Sequence, residues 1–189
     1  MDYFTDREFQ SREVPSGKLR RGTYDTCVFR DIDFSGNYLD GITCMDCEFI
    51  SCNLSNVKMG SAQFSDTRFI GCKMLGMHIE NLGLLSANLK FTDCMMDLIS
   101  FTNLNLKGME CSNCSLNAAD FTASDLSYAV FMRCDLNRAV FYQTNLEAAD
   151  FVTSHGVRLD PEQNKIRKAK FSLELLPGLL EKYGIEIDP

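Results

Sequence analysis

The chain has 189 residues, of which 45% are hydrophobic, and it carries a formal net charge of −7. That length suits one domain with a sizeable core, and no apolar run is long enough to cross a bilayer, which argues against a membrane protein. The acidic balance argues against a nucleic-acid-binding protein, because an acidic surface repels nucleic acid.

The first residues and the cysteine content indicate the compartment. The opening sequence MDYFTDREFQ has charges where a signal peptide would have its apolar stretch. We therefore expect a cytoplasmic protein. Its nine cysteines, an odd number, are then expected to be reduced thiols rather than a disulfide framework.

Residues 1–20 are predicted to form an N-terminal edge or cap. The stretch REVPSGKLRR combines a Pro-Ser-Gly turn with mixed charge, as edges and turns often do. Such a cap is needed because the regular pattern that follows predicts a stack of coils, whose raw ends must be covered.

A hydrophobic pattern with a period of five occupies residues 21–153. Every fifth residue from Phe4 to Leu89 lacks a charged or amide side chain, and a second such series runs from Phe91 to Phe151, two residues out of phase. An α-helix or a single strand has a different period. The residue two before each of these centres is mostly small, and residues two apart on an extended chain point to the same side.

Each pentapeptide is therefore predicted to form one short side of a coil, with two residues inward and three outward. Four sides close a coil of about twenty residues, and stacked coils lie about 4.8 Å apart, as the strands of any sheet do. The predicted fold is an all-β solenoid. The change of phase falls within residues 84–101, near which Leu104 and Met109 fit the first series while Phe101 and Leu106 fit the second.

The repeat resembles a known family. NAADFTASDL at 117–126 and YQTNLEAADF at 142–151 repeat a small residue, then Asp or Asn, then Leu or Phe. This motif resembles that of the pentapeptide repeat family, which implies a right-handed quadrilateral parallel β-helix over residues 21–153. The stretch FTNLNLKGMECSNCSLNAADF and the ending LLEKYGIEI look like the Qnr-type quinolone-resistance members of that family.

The Qnr-type resemblance carries functional implications. Those proteins are rod-shaped bacterial dimers joined through C-terminal helices. They bind type II topoisomerases, DNA gyrase above all, and are thought to imitate duplex DNA. Many of them carry loops that interrupt the coils and are needed for protection, whereas this sequence shows no clear loop and only the two-residue change of phase.

Residues 154–189 are predicted to hold a last strand and a short C-terminal α-helix. Leu176, Leu179, Leu180 and Tyr183 fall on one helical face, and Gly184 is placed to end the helix. One interpretation is a cap on the last coil. The other is a cap that also joins two copies, and the Qnr-type resemblance implies that these four residues form the homodimer interface.

Acidic residues are concentrated in the repeat. Residues 22–154 carry eight basic and sixteen acidic side chains, whereas the flanking segments are almost neutral. Asp120, Asp125, Asp135 and Asp150 each precede a centre and are expected to project outward. They are either solvated positions that support turns or part of an acidic face that binds a basic partner. The Qnr-type resemblance implies that this partner is DNA gyrase or topoisomerase IV.

No catalytic, cofactor or metal site is predicted. CMDC at 44–47 and CSNC at 111–114 have the C-x-x-C spacing of zinc sites. The repeat, however, places all nine cysteines inward as compact core residues. The two histidines lack an adjacent nucleophile, and no phosphate-binding glycine loop occurs.

Two functions remain open. The first is a DNA-mimicking protein that protects a type II topoisomerase from quinolones or toxins. The second is a general protein–protein interaction scaffold with an unrelated partner, and a purely structural product is a remote third. A continuous acidic face would favour the first function, whereas scattered acidic residues would not.

Overall fold

The computed structural model describes residues 2–79 and 88–186 and shows a parallel β-solenoid with a short C-terminal helix, which confirms the predicted fold class. The strands are short because each spans only one side of a coil. The strands of the described residues are β1 (Asp2–Thr5), β2 (Glu8–Gln10), β3 (Gly22–Asp25), β4 (Val28–Arg30), β5 (Ile42–Met45), β6 (Glu48–Ile50), β7 (Gln63–Ser65), β8 (Arg68–Ile70), β9 (Lys90–Thr92), β10 (Glu110–Ser112) and β11 (Val130–Met132).

The coil has four sides, which we number in chain order. Side 1 contains the sheet β1-β3-β5-β7, and side 2 contains the sheet β2-β4-β6-β8-β9-β10-β11, both parallel. Sides 3 and 4 are held by single parallel pairs of residues, such as Asp33 with Asn53 on side 3 and Tyr38 with Lys58 on side 4. Each residue therefore stacks on the equivalent residue of the next coil.

The change of phase lies between Ile79 and Leu89. Phe49 pairs with Phe69, but Phe69 then pairs with Phe91, so one coil is two residues longer than its neighbours. Leu89 is already buried two positions before Phe91, which places it in the second series. Leu104 and Met109 are likewise buried at the small inward site of that series. Leu84, predicted to be a centre, lies outside the described residues.

Most corners of the described coils use a residue in the left-handed region of backbone conformation, two positions after the centre. Asp46, Asn56 and Ala148 have φ values of 50°, 55° and 57° there. Asn, Asp and Gly adopt this conformation readily, whereas other L-residues lose about 1–2 kcal/mol in it. The frequency of Asp, Asn and Gly at this position thus follows from the shape of the coil.

The core is a set of stacked columns. On side 2 the rings of Phe29, Phe49 and Phe69 stack with centroid separations of 4.5 and 5.1 Å. All nine cysteines are free and buried, as predicted. Seven of them occupy the small inward site, and Cys44 and Cys111 lie at centres. The thiols of Cys52 and Cys72 donate to backbone carbonyls of the preceding coil.

The N-terminal segment predicted as a cap also forms the first coil. Its strands β1 and β2 pair with β3 and β4, so the ladder begins at Asp2 rather than at residue 21. Arg7 occupies the small inward site of this coil. Its guanidinium lies 4.8 Å from the ring centre of Phe9 and 5.7 Å from that of Phe4, and it therefore covers the open end of the core.

The C-terminal end is closed by a helical segment. The ladder continues to the pair Asp150–Lys170, and a 3₁₀ turn (Leu173–Leu175), the α-helix α1 (Leu176–Leu180) and a second 3₁₀ turn (Glu181–Tyr183) follow. Gly184, with φ of 59°, ends the segment, as predicted.

Close backbone contact docks this segment on the last coil. Leu175 and Leu179 are buried against it. A Cβ atom on Gly178 would lie 2.3 Å from the carbonyl oxygen of Val157, so only glycine permits the approach. The Nζ atom of Lys182 lies 2.6 Å from carboxylate oxygens of both Asp160 and Glu162.

Replacing Ala148 with glycine is expected to stabilise the fold. Ala148 has φ of 57° and is partly exposed. Ala148→Gly removes the strain of the left-handed conformation but also increases the entropy of the unfolded chain. The free energy of unfolding should therefore rise by about 0.5–1 kcal/mol. The matched control is Ala149→Gly at the buried neighbour, which should lower stability by about 1–2 kcal/mol. Urea unfolding of both variants measures this, and a loss of stability in Ala148→Gly would contradict the strain argument.

Replacing Gly178 with alanine is expected to destabilise the C-terminal cap. The added Cβ overlaps the Val157 carbonyl, so the helix must shift and the protein should lose about 1–3 kcal/mol. Thermal unfolding measures the loss against Glu174→Ala, an exposed position on the preceding 3₁₀ turn. Equal melting temperatures for the two variants would show that the close approach does not hold the cap.

Candidate functional site

The four acidic residues predicted as a binding face lie on four different sides of the coil. They do not form a continuous acidic surface, because the chain moves to a new side every five residues. Their ladder neighbours are Ser100 and Val140 for Asp120, Asn105 and Asn145 for Asp125, Ser115 and His155 for Asp135, and Val130 and Lys170 for Asp150.

These four carboxylates support turns, the alternative that the sequence left open. Each is partly buried, and its Oδ1 atom accepts the backbone N–H two residues later. Burial disfavours the charged form of Asp125, but hydrogen bonds from Ser127 prevail and lower the pKa of its carboxyl. Burial likewise opposes the charge on Asp150, and the hydrogen bond from Lys170 lowers the pKa of that carboxyl.

A different set of carboxylates does share one surface. Asp6, Asp25, Asp46 and Asp66 lie along the corner between sides 1 and 2 in the first four coils, and we call them the acidic edge. Asp6, Asp46 and Asp66 are exposed corner residues with φ between 49° and 52°, while Asp25 ends β3 and is half-buried. None of the four lies within ion-pair distance of a basic side chain among residues 2–79 and 88–186.

The adjoining side 2 is charge-balanced instead. Arg30 pairs with Glu8 at 3.2 Å and Arg68 with Glu48 at 3.0 Å, where partners stack between successive coils. Among the residues that the structure describes, Asp66 accepts a neutral side-chain hydrogen bond, from Asn88 at 2.7 Å. Among the described residues, the carboxylates of the acidic edge therefore have no ion-pair partner, whereas Glu8 and Glu48 on side 2 have one each.

The sequence contains a signal for the acidic edge. The residue before each centre falls on all four sides in turn, whereas a residue that recurs after whole coils falls on one side. Aspartate two residues after the centres Phe4, Cys44 and Phe64 recurs at intervals of one or two coils. Positions that differ by a multiple of one coil length fall in the same column.

The four predicted dimer residues do not share one face. Leu176 and Tyr183 are 40% and 53% exposed, Leu180 is half-buried, and Leu179 is only 8% exposed because it packs on the last coil. Leu179 is therefore not available for a contact between copies, whereas the role of Leu176, Leu180 and Tyr183 in a homodimer interface stays a prediction.

Apolar side chains are nevertheless exposed at this end. Leu173 is 84% exposed and Ile185 is 54% exposed, and with Leu176 they form what we call the C-terminal apolar surface. The hydroxyl of Tyr183 donates to Glu162 at 2.9 Å, which ties its ring to the last coil. Neither Leu173 nor Ile185 is among the residues that the sequence predicted for the dimer interface.

The described residues hold no arrangement typical of a catalytic or metal site. No group of three or more His, Cys, Asp or Glu side chains is placed to hold a metal ion within ranges 2–79 and 88–186. Burial raises the pKa of the Cys27 thiol, and burial raises that of Cys44 further. None of the helices in the described part of the chain has the length and apolarity needed to cross a membrane.

Comparison with known structures finds solenoids of the same kind. A trypsin-treated form of QnrB1, a plasmid-mediated fluoroquinolone resistance protein, is 18% identical over 98% of this chain and 97% of its own, with a TM-score of 0.42. HetL, a pentapeptide repeat protein involved in heterocyst differentiation regulation from the cyanobacterium Nostoc sp. strain PCC 7120, is 14% identical over 89% of this chain and 84% of its own, with a TM-score of 0.52. At such identities the likeness concerns the fold alone.

Sequence comparison assigns the repeat directly. No curated protein sequence matches the chain. Two family profiles do, one described as a pentapeptide repeat region over residues 42–121 and the other as pentapeptide repeats (8 copies) over residues 114–151. The matched residues together run from 42 to 151 and lie within the stacked coils, and the chain belongs to the pentapeptide repeat family.

Proposed function

We propose that this protein is a non-enzymatic binding protein whose acidic edge occupies the basic, DNA-binding surface of a type II topoisomerase, DNA gyrase or topoisomerase IV. The observation that carries the proposal is the column of uncompensated carboxylates at Asp6, Asp25, Asp46 and Asp66. Exposed charges of one sign steer a partner of opposite charge.

The solenoid gives this edge a fixed geometry. Corner residues of adjacent coils lie about 4.8 Å apart, so the four carboxylates span about 14 Å over three coil spacings. Duplex DNA carries about eight phosphate charges over that length. The edge therefore supplies about half of the charge density of DNA. Affinity for the topoisomerase must then also depend on the shape and rigidity of the rod.

The mechanism would be competition without covalent chemistry. A rod that covers the DNA-binding surface displaces the DNA gate segment and destabilises a cleavage complex trapped by a quinolone or a toxin. Because the contact is mainly electrostatic and solvent-exposed, its affinity should fall as ionic strength rises.

Neutralising the acidic edge is expected to weaken topoisomerase protection at least tenfold. The variant Asp6→Asn/Asp25→Asn/Asp46→Asn/Asp66→Asn keeps residues that tolerate the left-handed corner while removing four charges. Its control, Asp120→Asn/Asp125→Asn/Asp135→Asn/Asp150→Asn, removes the same charge from four separate sides. Gyrase supercoiling with a quinolone present should be restored by wild type and by the control, and at least tenfold more edge variant should be needed.

The outcomes separate the two functions. Equal effects of the two quadruple variants would assign any activity to net charge and overturn the role of the edge. Inhibition of supercoiling without restoration would mean binding without protection. No effect of the wild-type protein at tens of micromolar would overturn the topoisomerase proposal and favour a scaffold with an unrelated partner.

We also propose that two copies associate through the C-terminal apolar surface. Leu173 and Leu176 are exposed beyond the last coil, in a segment where Leu175 and Leu179 already close the core. A cap alone needs no exposed leucines, whereas a symmetric contact between copies would bury them.

Placing charge on this surface is expected to separate the copies. Leu173→Glu/Leu176→Glu should convert a species with the mass of two chains into one with the mass of a single chain, without loss of folding, since both side chains are exposed. Light scattering after size exclusion measures the masses. Leu98→Glu, at a 65% exposed corner elsewhere, is the control. A wild-type protein that is monomeric at about 100 μM would contradict the proposal, since a specific dimer should bind more tightly.

A further inference from the structure

A group of exposed apolar side chains lies on side 2 of the seventh and eighth coils. Val130 and Met132 project from β11, and Tyr128 stands at the corner that precedes this strand. Val130 pairs with Asp150, so Met132 and Val152 stand in register in adjacent coils. We call Tyr128, Val130, Met132 and Val152 the side-2 patch.

The side-2 patch continues the corner that carries the acidic edge. The residue two before each side-2 strand stands at this corner, and for β8, β9, β10 and β11, which pair in that order, these residues are Asp66, Asn88, Gly108 and Tyr128. At about 4.8 Å per coil, Tyr128 lies about 14 Å beyond Asp66 and about 29 Å beyond Asp6. An interface of standard size covers about 800 Å² on each partner and is therefore about 28 Å across. The acidic edge and the side-2 patch together match that length, whereas the edge alone covers half of it.

Tyr128 occupies this corner in a strained conformation. Its φ is 60°, in the left-handed region that bulky L-residues adopt only with strain, and Asp, Asn or Gly stands there in most of the preceding coils. The ring is 58% exposed and lies outside the buried core, with the Nζ atom of Lys107 at 5.5 Å from its centre. A strained residue that does not fill the core indicates a role at the surface.

The charged side chains beside the side-2 patch are already paired within the chain. In the ladder Val130 stands between Glu110 and Asp150. Glu110 pairs with Lys90 at 3.0 Å, and Asp150 pairs with Lys170 at 3.0 Å. A partner that covers the patch therefore buries these charges as pairs, which avoids the large penalty for an unpaired buried charge.

A depression beside Val130 and Met132 offers room for an apolar side chain of the partner. It measures about 120 Å³ and lies over the buried residues Phe91 and Cys111 of the two preceding coils. Small-molecule sites usually measure about 300–1,000 Å³, so this depression suits a single side chain instead. Side chains inserted into such pockets near the middle of an interface contribute most of its binding energy.

We infer that the side-2 patch is the apolar anchor of the interface whose charged part is the acidic edge. The edge attracts a basic surface of the partner, and the patch then binds apolar side chains beside that surface. The inference rests on the proposed function, because the partner is the topoisomerase that binds the acidic edge. Exposed charges mainly change the rate of association, whereas buried contacts mainly change the rate of dissociation.

Binding kinetics on immobilised DNA gyrase test this division. The patch variant of the full-length protein is Tyr128→Asn/Val130→Thr/Met132→Gln/Val152→Thr, in which asparagine suits the left-handed corner. It should dissociate at least tenfold faster than wild type, while its association rate and the salt dependence of that rate stay within twofold of wild type. The quadruple variant of the acidic edge should instead associate more slowly and with a weaker dependence on salt.

Val140→Thr/Tyr142→Gln is the matched control, because these apolar side chains are 46% and 47% exposed on side 4. This control should bind as wild type does. A patch variant that dissociates at the wild-type rate, or no faster than the control, would overturn the inference and leave the proposed function standing. Wild-type protein that does not bind gyrase would overturn the proposed function and the inference together.

Thermal unfolding tests Tyr128 without any partner. Tyr128→Asn removes backbone strain and takes no side chain from the core, so its melting temperature should rise by about 2–4 °C although binding weakens. A lower melting temperature would assign the ring a role in stability and overturn its role as an anchor. A patch variant with a smaller mass in solution than wild type would assign the patch to contact between copies, which would also overturn the inference.

Discussion

The structure depends on one constraint, the parallel ladder between coils that turn about every five residues, at most corners through a left-handed residue. The ladder keeps the sides of successive coils in register, even where one coil is two residues longer, so the residue at one corner stacks on the equivalent residue of the next coil. Asp66 thereby stacks next to Asp46 along one corner, and Phe49 stacks on Phe29 in the core. A residue repeated once per coil becomes a continuous column, either a stack of rings inside or a row of charges outside.

The same constraint decides what an aspartate can do. An aspartate before a centre lies on a flat side, where its carboxylate accepts the N–H of its own turn, as Asp120 does from Thr122. An aspartate two residues after a centre stands at a corner with its carboxylate directed to solvent. Asp46 and Asp120 both belong to the repeat motif, yet only the first contributes to an extended negative surface. Position within the pentapeptide therefore matters more than the number of acidic residues.

The repeat geometry explains which features of the fold and of the candidate site the sequence could predict. The five-residue period was sufficient for the solenoid and for the inward position of residues such as Cys52, because burial depends only on place within the pentapeptide. The period does not show which side a residue occupies, and this requires counting in whole coils. The sequence likewise does not show that Leu179 packs on the last coil, because a helical period does not indicate in which direction an apolar face points.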